Sequence, residues 1–209
     1  VAVRELGRAG LSSIAVDGDP RAPGFASRWC SGTAVVPHFA HGQDAFIDAL
    51  LDLCAEHRPA VLMPLHDGSI DAVRRRRADL ERVVALTLAP EDALEVAVDK
   101  SRTLAFAATL GLRAPRGAIV ERSDQAAGVI DEVGLPAVVK PVRSWTQSEG
   151  IGQRLNGRAV TSRAEAVAAI CAILDEGVEV AVQEWLPGDR EALSFLYADG
   201  RTWARFAQR

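Results

Sequence analysis

The sequence predicts an α/β protein: a parallel sheet with flanking helices over residues 1–96, then an α+β unit over residues 97–209. Two patterns carry this expectation. Short apolar runs without alternation, such as residues 60–63, are separated by segments whose apolar residues recur at helical spacing, as in parallel strands buried on both faces. Abundant alanine with only 5% aromatic residues also fits helices packed on a sheet. At 209 residues the chain can bury a real core, as one large domain or two small ones.

Taken in order, the first residues read as a helix under way, ending at Gly7 or Gly10, with a strand at 13–16 reaching Asp17-Gly18-Asp19-Pro20 and another at 35–36. A chain that opens in a helix leads us to expect a preceding strand outside it. Phe46, Ala49, Leu50, Leu53 and Cys54 repeat at helical spacing across 43–57, and Pro59 marks the stop. A strand at 60–63, a helix at 69–82, a strand at 83–86 and a helix at 91–98 follow. Asp99-Lys100 then opens a helix at 101–110, closed by Gly111 ahead of Pro115. The second unit reads as strand 117–120, helix 123–133, strand 136–140, a glycine-bearing loop, strand 158–160, helix 162–176 and strand 178–185. Ser162 and Glu165 have capping-box spacing. Asp199-Gly200 between 191–197 and 202–207 is a two-residue hairpin signal.

The composition narrows the function. An apolar content of 48% and a net charge of −4 offer no basic excess for a nucleic-acid backbone. The run Arg74 to Arg77 sits beside Asp71, Asp79 and Glu81 and reads as a solvated helix face. Cys30, Cys54 and Cys171 lack metal-ligand spacing; Cys54 and Cys171 read as core residues, and a reducing cytoplasm is the expected location. The start, Val-Ala-Val-Arg-Glu-Leu, lacks a signal-peptide pattern. No apolar stretch approaches the length of a membrane span, so no membrane partner is expected.

Chemistry concentrates in the second unit. Lys140 ends the apolar run 136–139, where an ammonium needs an anion nearby or an exit to solvent. The segment 143–157 holds Ser144, Thr146, Ser148, Gly150, Gly152 and Gly157, whose small side chains and hydroxyls suit anion binding and equally suit a plain hairpin loop. Arg143 and Arg154 are further phosphate-contact candidates or solvated side chains. Its spacing is neither that of a Walker loop nor that of a dinucleotide fingerprint. Gln183-Glu184-Trp185-Leu186 ends a strand before Pro187-Gly188, where backbone groups can meet a nucleobase edge and Trp185 or Leu186 can supply apolar contact. Glu191 is suited to accept from sugar hydroxyls; Glu184 and Glu191 read equally well as surface carboxylates.

Asp99-Lys100, Val138-Val139-Lys140-Pro141, the glycine segment 148–152, Gln183-Glu184-Trp185-Leu186 and Glu191 occur in an order that resembles the ATP-grasp superfamily. The likeness is nearest to carboxylate-amine ligases and to the biotin carboxylase and carbamoyl-phosphate synthetase modules. It covers nearly the whole chain and implies a Rossmann-like pre-ATP-grasp domain at 1–96 and the first part of an ATP-grasp domain at 97–209. By this resemblance Lys100 and Lys140 reach ATP phosphates, and Ser148, Gly150 and Gly152 belong to a loop closing over them. Glu184 and Leu186 offer backbone groups to adenine, with Trp185 tolerated between them, and Glu191 binds ribose.

The resemblance implies an ATP-dependent ligase that joins a small carboxylate to an amine or related acceptor through an acyl phosphate. It also implies magnesium, whose carboxylate ligands are expected outside this chain, so no residue here is expected to bind metal and the catalytic residues are left unknown. An incomplete active site leads us to expect weak or absent ATP binding and no turnover from the chain alone. A non-catalytic nucleotide-binding regulatory module and a structural or interaction domain are the alternatives. Aromatic side chains on the 191–207 hairpin raise the expectation of a homodimer.

Overall fold

The computed structural model describes residues 1–148 and 150–209 and is a mixed α/β fold with parallel and antiparallel sheets. Helix α1 (Ala2–Arg8) leads to β1 (Ile14–Asp17), which runs parallel to β2 (Gly32–Val35) with Ile14 opposite Gly32. Helix α2 (Gln43–His57) has the bounds its periodicity predicts. Strand β3 (Val61–Leu62), helices α3 (Asp67–Arg75) and α4 (Arg77–Glu81), and strand β4 (Ala85–Leu86) follow, β3 and β4 pairing in parallel.

The continuous parallel sheet expected at 1–96 is therefore two separate two-stranded ladders among the described residues. Nor are these strands buried on both faces: Val35 is 57% and Val61 50% exposed. The strands are only two to four residues long. Pro59 and Pro64 bracket β3, and proline has no N–H with which to extend a ladder. An apolar cluster still forms, with Phe46, Ile47, Leu50 and Cys54 of α2 against Ala72, Val73 and Leu80.

The helix expected at 69–82 breaks at Arg76, whose φ of −120° and ψ of 32° leave the helical region. The Arg76 carbonyl accepts from the N–H groups of Asp79 and Leu80, which starts α4 and turns Leu80 fully into the core. The arginine run is paired rather than simply solvated. Arg74 bonds Glu91 and Glu95, Arg76 bonds Asp48 and Asp79, and Arg77 bonds Glu81. These charges point in different directions around two short helices, so each finds its own carboxylate.

The second half begins with α5 (Glu91–Val98) and α6 (Lys100–Thr109). Four antiparallel strands then form one sheet in the order β5 (Gly117–Val120), β10 (Val180–Glu184), β6 (Ala137–Pro141), β9 (Arg158–Val160). Helices α7 (Ala126–Val133), entered through a 3₁₀ turn at Ser123–Gln125, and α8 (Arg163–Leu174) cover one face. Ile130 and Ile170 pack there against Val120, Val139, Val160, Val180 and Val182. Side chains alternate across a strand. Ala137, Val139 and Pro141 of β6 are accordingly buried, while Val138 and Lys140 are half-buried on the other face.

The expected capping box on α8 is half formed. Ser162 Oγ accepts from the Glu165 N–H, while the Glu165 carboxylate accepts from Thr161 instead of Ser162. The glycine segment contains a hairpin of its own, β7 (Trp145–Ser148) and β8 (Ile151–Arg154). Strands β11 (Ala192–Ala198) and β12 (Arg201–Gln208) meet at Asp199-Gly200, both with positive φ, as the sequence signal requires.

The sheet-and-helix core carries the fold of the second half. Ile170→Ala should cost about 2–5 kcal/mol through lost burial and the cavity left behind, read as a lower midpoint in urea denaturation with an unchanged slope.

Candidate functional site

The site begins with a helix cap. Asp99 closes α5 in extended geometry, and its Oδ1 accepts from the N–H groups of Ser101 and Arg102 at 3.0 and 3.1 Å and from Ser101 Oγ at 2.8 Å. A short acceptor that can satisfy two free N–H groups is what a helix start requires. The cap makes Lys100 the first residue of α6. Its N–H donates to the Val142 carbonyl at 3.1 Å, and its Nζ lies 2.9 Å from Ser144 Oγ and 3.4 Å from the Val142 oxygen.

Lys140 arrives from the open face of the four-stranded sheet. Its Nζ donates to Gln183 Oε1 at 3.0 Å. Gln183 stands diagonally across on β10, since Lys140 pairs with Ala181 and Val138 with Gln183. The Gln183 side chain is buried, so Lys140 supplies its carbonyl oxygen with a donor. Gly157 lies against the lysine stem: a Cβ there would sit 2.7 Å from Lys140 Cγ and 2.9 Å from the Val139 oxygen.

Lys100 and Lys140 line one open cavity of about 280 Å³ with Ser144, Val138, Pro141 and Gly157. Burial pushes the Lys100 ammonium below the ordinary lysine range, and the Lys140 charge pushes it the same way; Asp67 and Asp99 act against this shift. Burial also pushes Asp99 upward, but the Arg102 N–H, the Ser101 hydroxyl and the Arg143 charge together hold its carboxyl below its usual value. Two cationic amines and a hydroxyl on one concave wall have the chemistry to hold an anion of high charge.

The other candidate residues lie outside that wall. Ser148 and Gly152 belong to the β7–β8 hairpin, and Gly150, with φ of +80°, is in its turn; Glu149 falls outside the described residues. The Gly152 N–H, a candidate anion donor by sequence, is already given to the Ala40 carbonyl at 2.7 Å. The hairpin is packed onto the first half of the chain. Trp145 meets Phe39 and His66 edge-on at 5.5 Å in both cases, and Arg154 pairs with Asp67 at 3.1 Å.

Glu184 bonds the N–H and Nε of Arg116 at 2.8 and 2.9 Å, and these bonds lower its pKa. Its carboxylate ties β5 to β10. Trp185 donates its N–H to Pro136, and the side chains of Trp185 and Leu186 are exposed. Glu191, at the foot of the β11–β12 hairpin, pairs with Arg209 at 2.9 Å. The sequence gives Gln183 no role of its own, and Gly157 stands there only as one of the small residues of segment 143–157. The alternation of β10 against β6 would have pointed to Gln183, which shares the open face with Lys140. The three cysteines are free thiols, Cys54 buried and Cys30 and Cys171 half-buried.

Among the described residues no group of three or more His, Cys, Asp or Glu side chains could hold a metal ion. No helix among them is long and apolar enough to cross a membrane.

The fold resembles the ATP-grasp superfamily, in the branch of carboxylate-amine ligases, biotin carboxylases and N5-carboxyaminoimidazole ribonucleotide synthetases. No family model matches the chain. It is 27% identical over 203 residues to a formate-dependent phosphoribosylglycinamide formyltransferase of Wolinella succinogenes, covering 94% of this chain and 47% of that protein. Among solved structures, N5-carboxyaminoimidazole ribonucleotide synthetase from Thermus thermophilus superposes with a TM-score of 0.62 at 26% identity, over 91% of this chain and 46% of its own. L-amino acid ligase from Bacillus licheniformis shares the fold, with a TM-score of 0.65 at 16% identity over 96% of this chain and 44% of its own. The chain thus spans about half the length of the relatives it matches.

The depressed pKa of Lys100 sets the sign of a stability effect. Below its folded-state pKa the buried charge opposes folding in full, and the penalty fades as pH rises towards the value of a free lysine, about 10.4. Lys100→Met should therefore raise Tm by a few degrees at neutral pH, with a smaller gain at alkaline pH, as scanning calorimetry would show.

Proposed function

We propose that this chain is the ATP-binding part of an ATP-dependent ligase that joins a small carboxylate to an amine or related acceptor. The observation that carries the reading is the convergence of Lys100 and Lys140 on one cavity with Ser144 between them. Lys100 and Lys140 would hold the triphosphate. Glu184, Trp185 and Leu186 would flank the base through backbone and apolar contacts, Glu191 would meet the ribose, and the hairpin carrying Ser148, Gly150 and Gly152 would cover the phosphates. In the reaction, a carboxylate oxygen takes the terminal phosphoryl group and releases ADP. The acceptor nitrogen then attacks the acyl carbon, and inorganic phosphate leaves.

Paired point charges act by offsetting the negative charge of the phosphates and orienting them. Magnesium, held by carboxylates outside these residues, would neutralise the triphosphate and orient the transfer. Two separate apolar clusters, one drawn from residues 36–84 and one from 120–182, support division into a Rossmann-like domain at 1–96 and an ATP-grasp part at 97–209. Three free thiols fit a reducing, cytoplasmic setting.

Calorimetric titration of magnesium-ATP should give a heat of binding that is lost or at least about tenfold weaker in Lys140→Ala. Equal binding by both proteins would overturn the assignment of Lys140 to the phosphates, and no binding by either would move nucleotide binding out of this chain. We also propose self-association through the β11–β12 hairpin, where Phe195, Tyr197, Trp203 and Phe206 are each more than half exposed. Light scattering should show a mass that rises with concentration; a constant monomer mass would refute it.

A further inference from the structure

The two-lysine cavity depends on a clasp at its back. Val142 and Ser144 both receive Lys100, Val142 from its N–H and Ser144 from its Nζ. The residue between them, Arg143, reaches in the opposite direction. Its Nε lies 3.3 Å from Asp99 Oδ2, and its terminal nitrogen lies 3.1 Å from Glu95 Oε2. The same Asp99 carboxylate caps the helix that Lys100 begins. Strand exit and helix start therefore hold each other by contacts running both ways.

Arg143 does not line the lysine cavity. It lines a second one, of about 380 Å³, on the other side of the connection after β6, with Asp99, Trp145, Thr146 and Glu179. Glu95 is shared with Arg74 and Arg102, which extends the ionic contacts to α3. The Asp99 side chain is only 10% exposed. Breaking its pairing leaves a nearly buried carboxylate short of one partner, which is costlier than losing a surface ion pair.

We infer that Arg143 is a positioning residue: through Asp99 and Glu95 it locks the start of α6 onto the strand exit and so holds the Lys100 ammonium in the cavity it shares with Lys140. The sequence invites a different role, since an arginine beside a glycine-bearing segment is a natural phosphate contact. In the structure its guanidinium is committed to two carboxylates behind the site. The inference rests on the reading of the cavity as an anion site only for its functional consequence; the clasp itself is a matter of geometry.

Two measurements on the full chain test it, with Arg143→Ala and Arg143→Lys as variants. The first needs no ligand. Hydrogen exchange at the Lys100 amide, which the Val142 carbonyl protects, should accelerate about tenfold or more in Arg143→Ala and recover in Arg143→Lys, while amides of β10 stay unchanged. Unchanged protection of Lys100 in Arg143→Ala would overturn the clasp. The second follows inorganic tripolyphosphate binding in a double-mutant cycle with Lys100→Met. Arg143→Ala should weaken binding about tenfold in the wild-type background and have no further effect once Lys100 is gone. Equal weakening in both backgrounds would mean that Arg143 acts independently of Lys100, and would overturn the positioning role. A wild-type chain that binds neither tripolyphosphate nor magnesium-ATP would move the anion site out of this chain, and the exchange result would still decide the clasp.

Discussion

One backbone hydrogen bond, from the Lys100 N–H to the Val142 carbonyl, sets the arrangement on which the site depends. It joins positions 42 apart in the sequence and does so two residues beyond Lys140. The N–H of Val142 donates to the Glu179 carbonyl at 2.8 Å, so the exit of β6 is held from both sides, by the start of α6 and by the approach to β10. With β6 also registered against β10, Lys140 has little freedom along its strand axis. The relative placement of the two lysine backbones is thus set by backbone pairing.

The hairpin of β7 and β8 shows how the same constraint reaches the first half of the chain. A Cβ on Gly68 would sit 2.5 Å from Trp145 Cζ2 and 2.6 Å from Phe39 Cε2, so the indole fits because α3 presents no side chain there. His66 caps α3, its Nδ1 accepting from the Gly68 N–H, and presents its ring to the indole. The Gly152 to Ala40 bond and the Arg154–Asp67 pair tie the hairpin to the first half of the chain. Asp67 also acts on Lys100, so movement of Arg154 would alter the electrostatics of the cavity.

Legibility in the sequence followed the range of the interaction. Helix α2 could be delimited because its five apolar positions and Pro59 lie within one short segment. Asp199-Gly200 was readable because a two-residue turn imposes positive φ on those residues alone. Lys140 stood out because an ammonium at the end of an apolar run is costly without a reason, whereas Lys100 was reached only through the resemblance. What escaped was long-range: the break at Arg76, the pairing of Arg74 with Glu91 and Glu95, and the commitment of Arg143 to Asp99. Each depends on which carboxylate the fold brings near, and local spacing carries no record of that. The separated parallel pairs escaped for a related reason, since an apolar tetrapeptide does not reveal whether its neighbours complete a sheet.

The charge arrangement carries a final consequence. Two ammonium groups on one wall repel each other, and burial of Lys100 adds to the cost. The protein offsets part of it from behind, with Asp99 at the helix cap and Asp67 on α3, while the lysines face the cavity. Placing both carboxylates in the cavity would have neutralised the amines and removed their attraction for an anion. Asp99 instead engages two N–H groups, a hydroxyl and Arg143, which leaves the Lys100 Nζ with neutral oxygen partners at Ser144 and Val142. On the proposed reading, a ligand with several negative charges would relieve this repulsion, which the carboxylates behind the wall only partly offset.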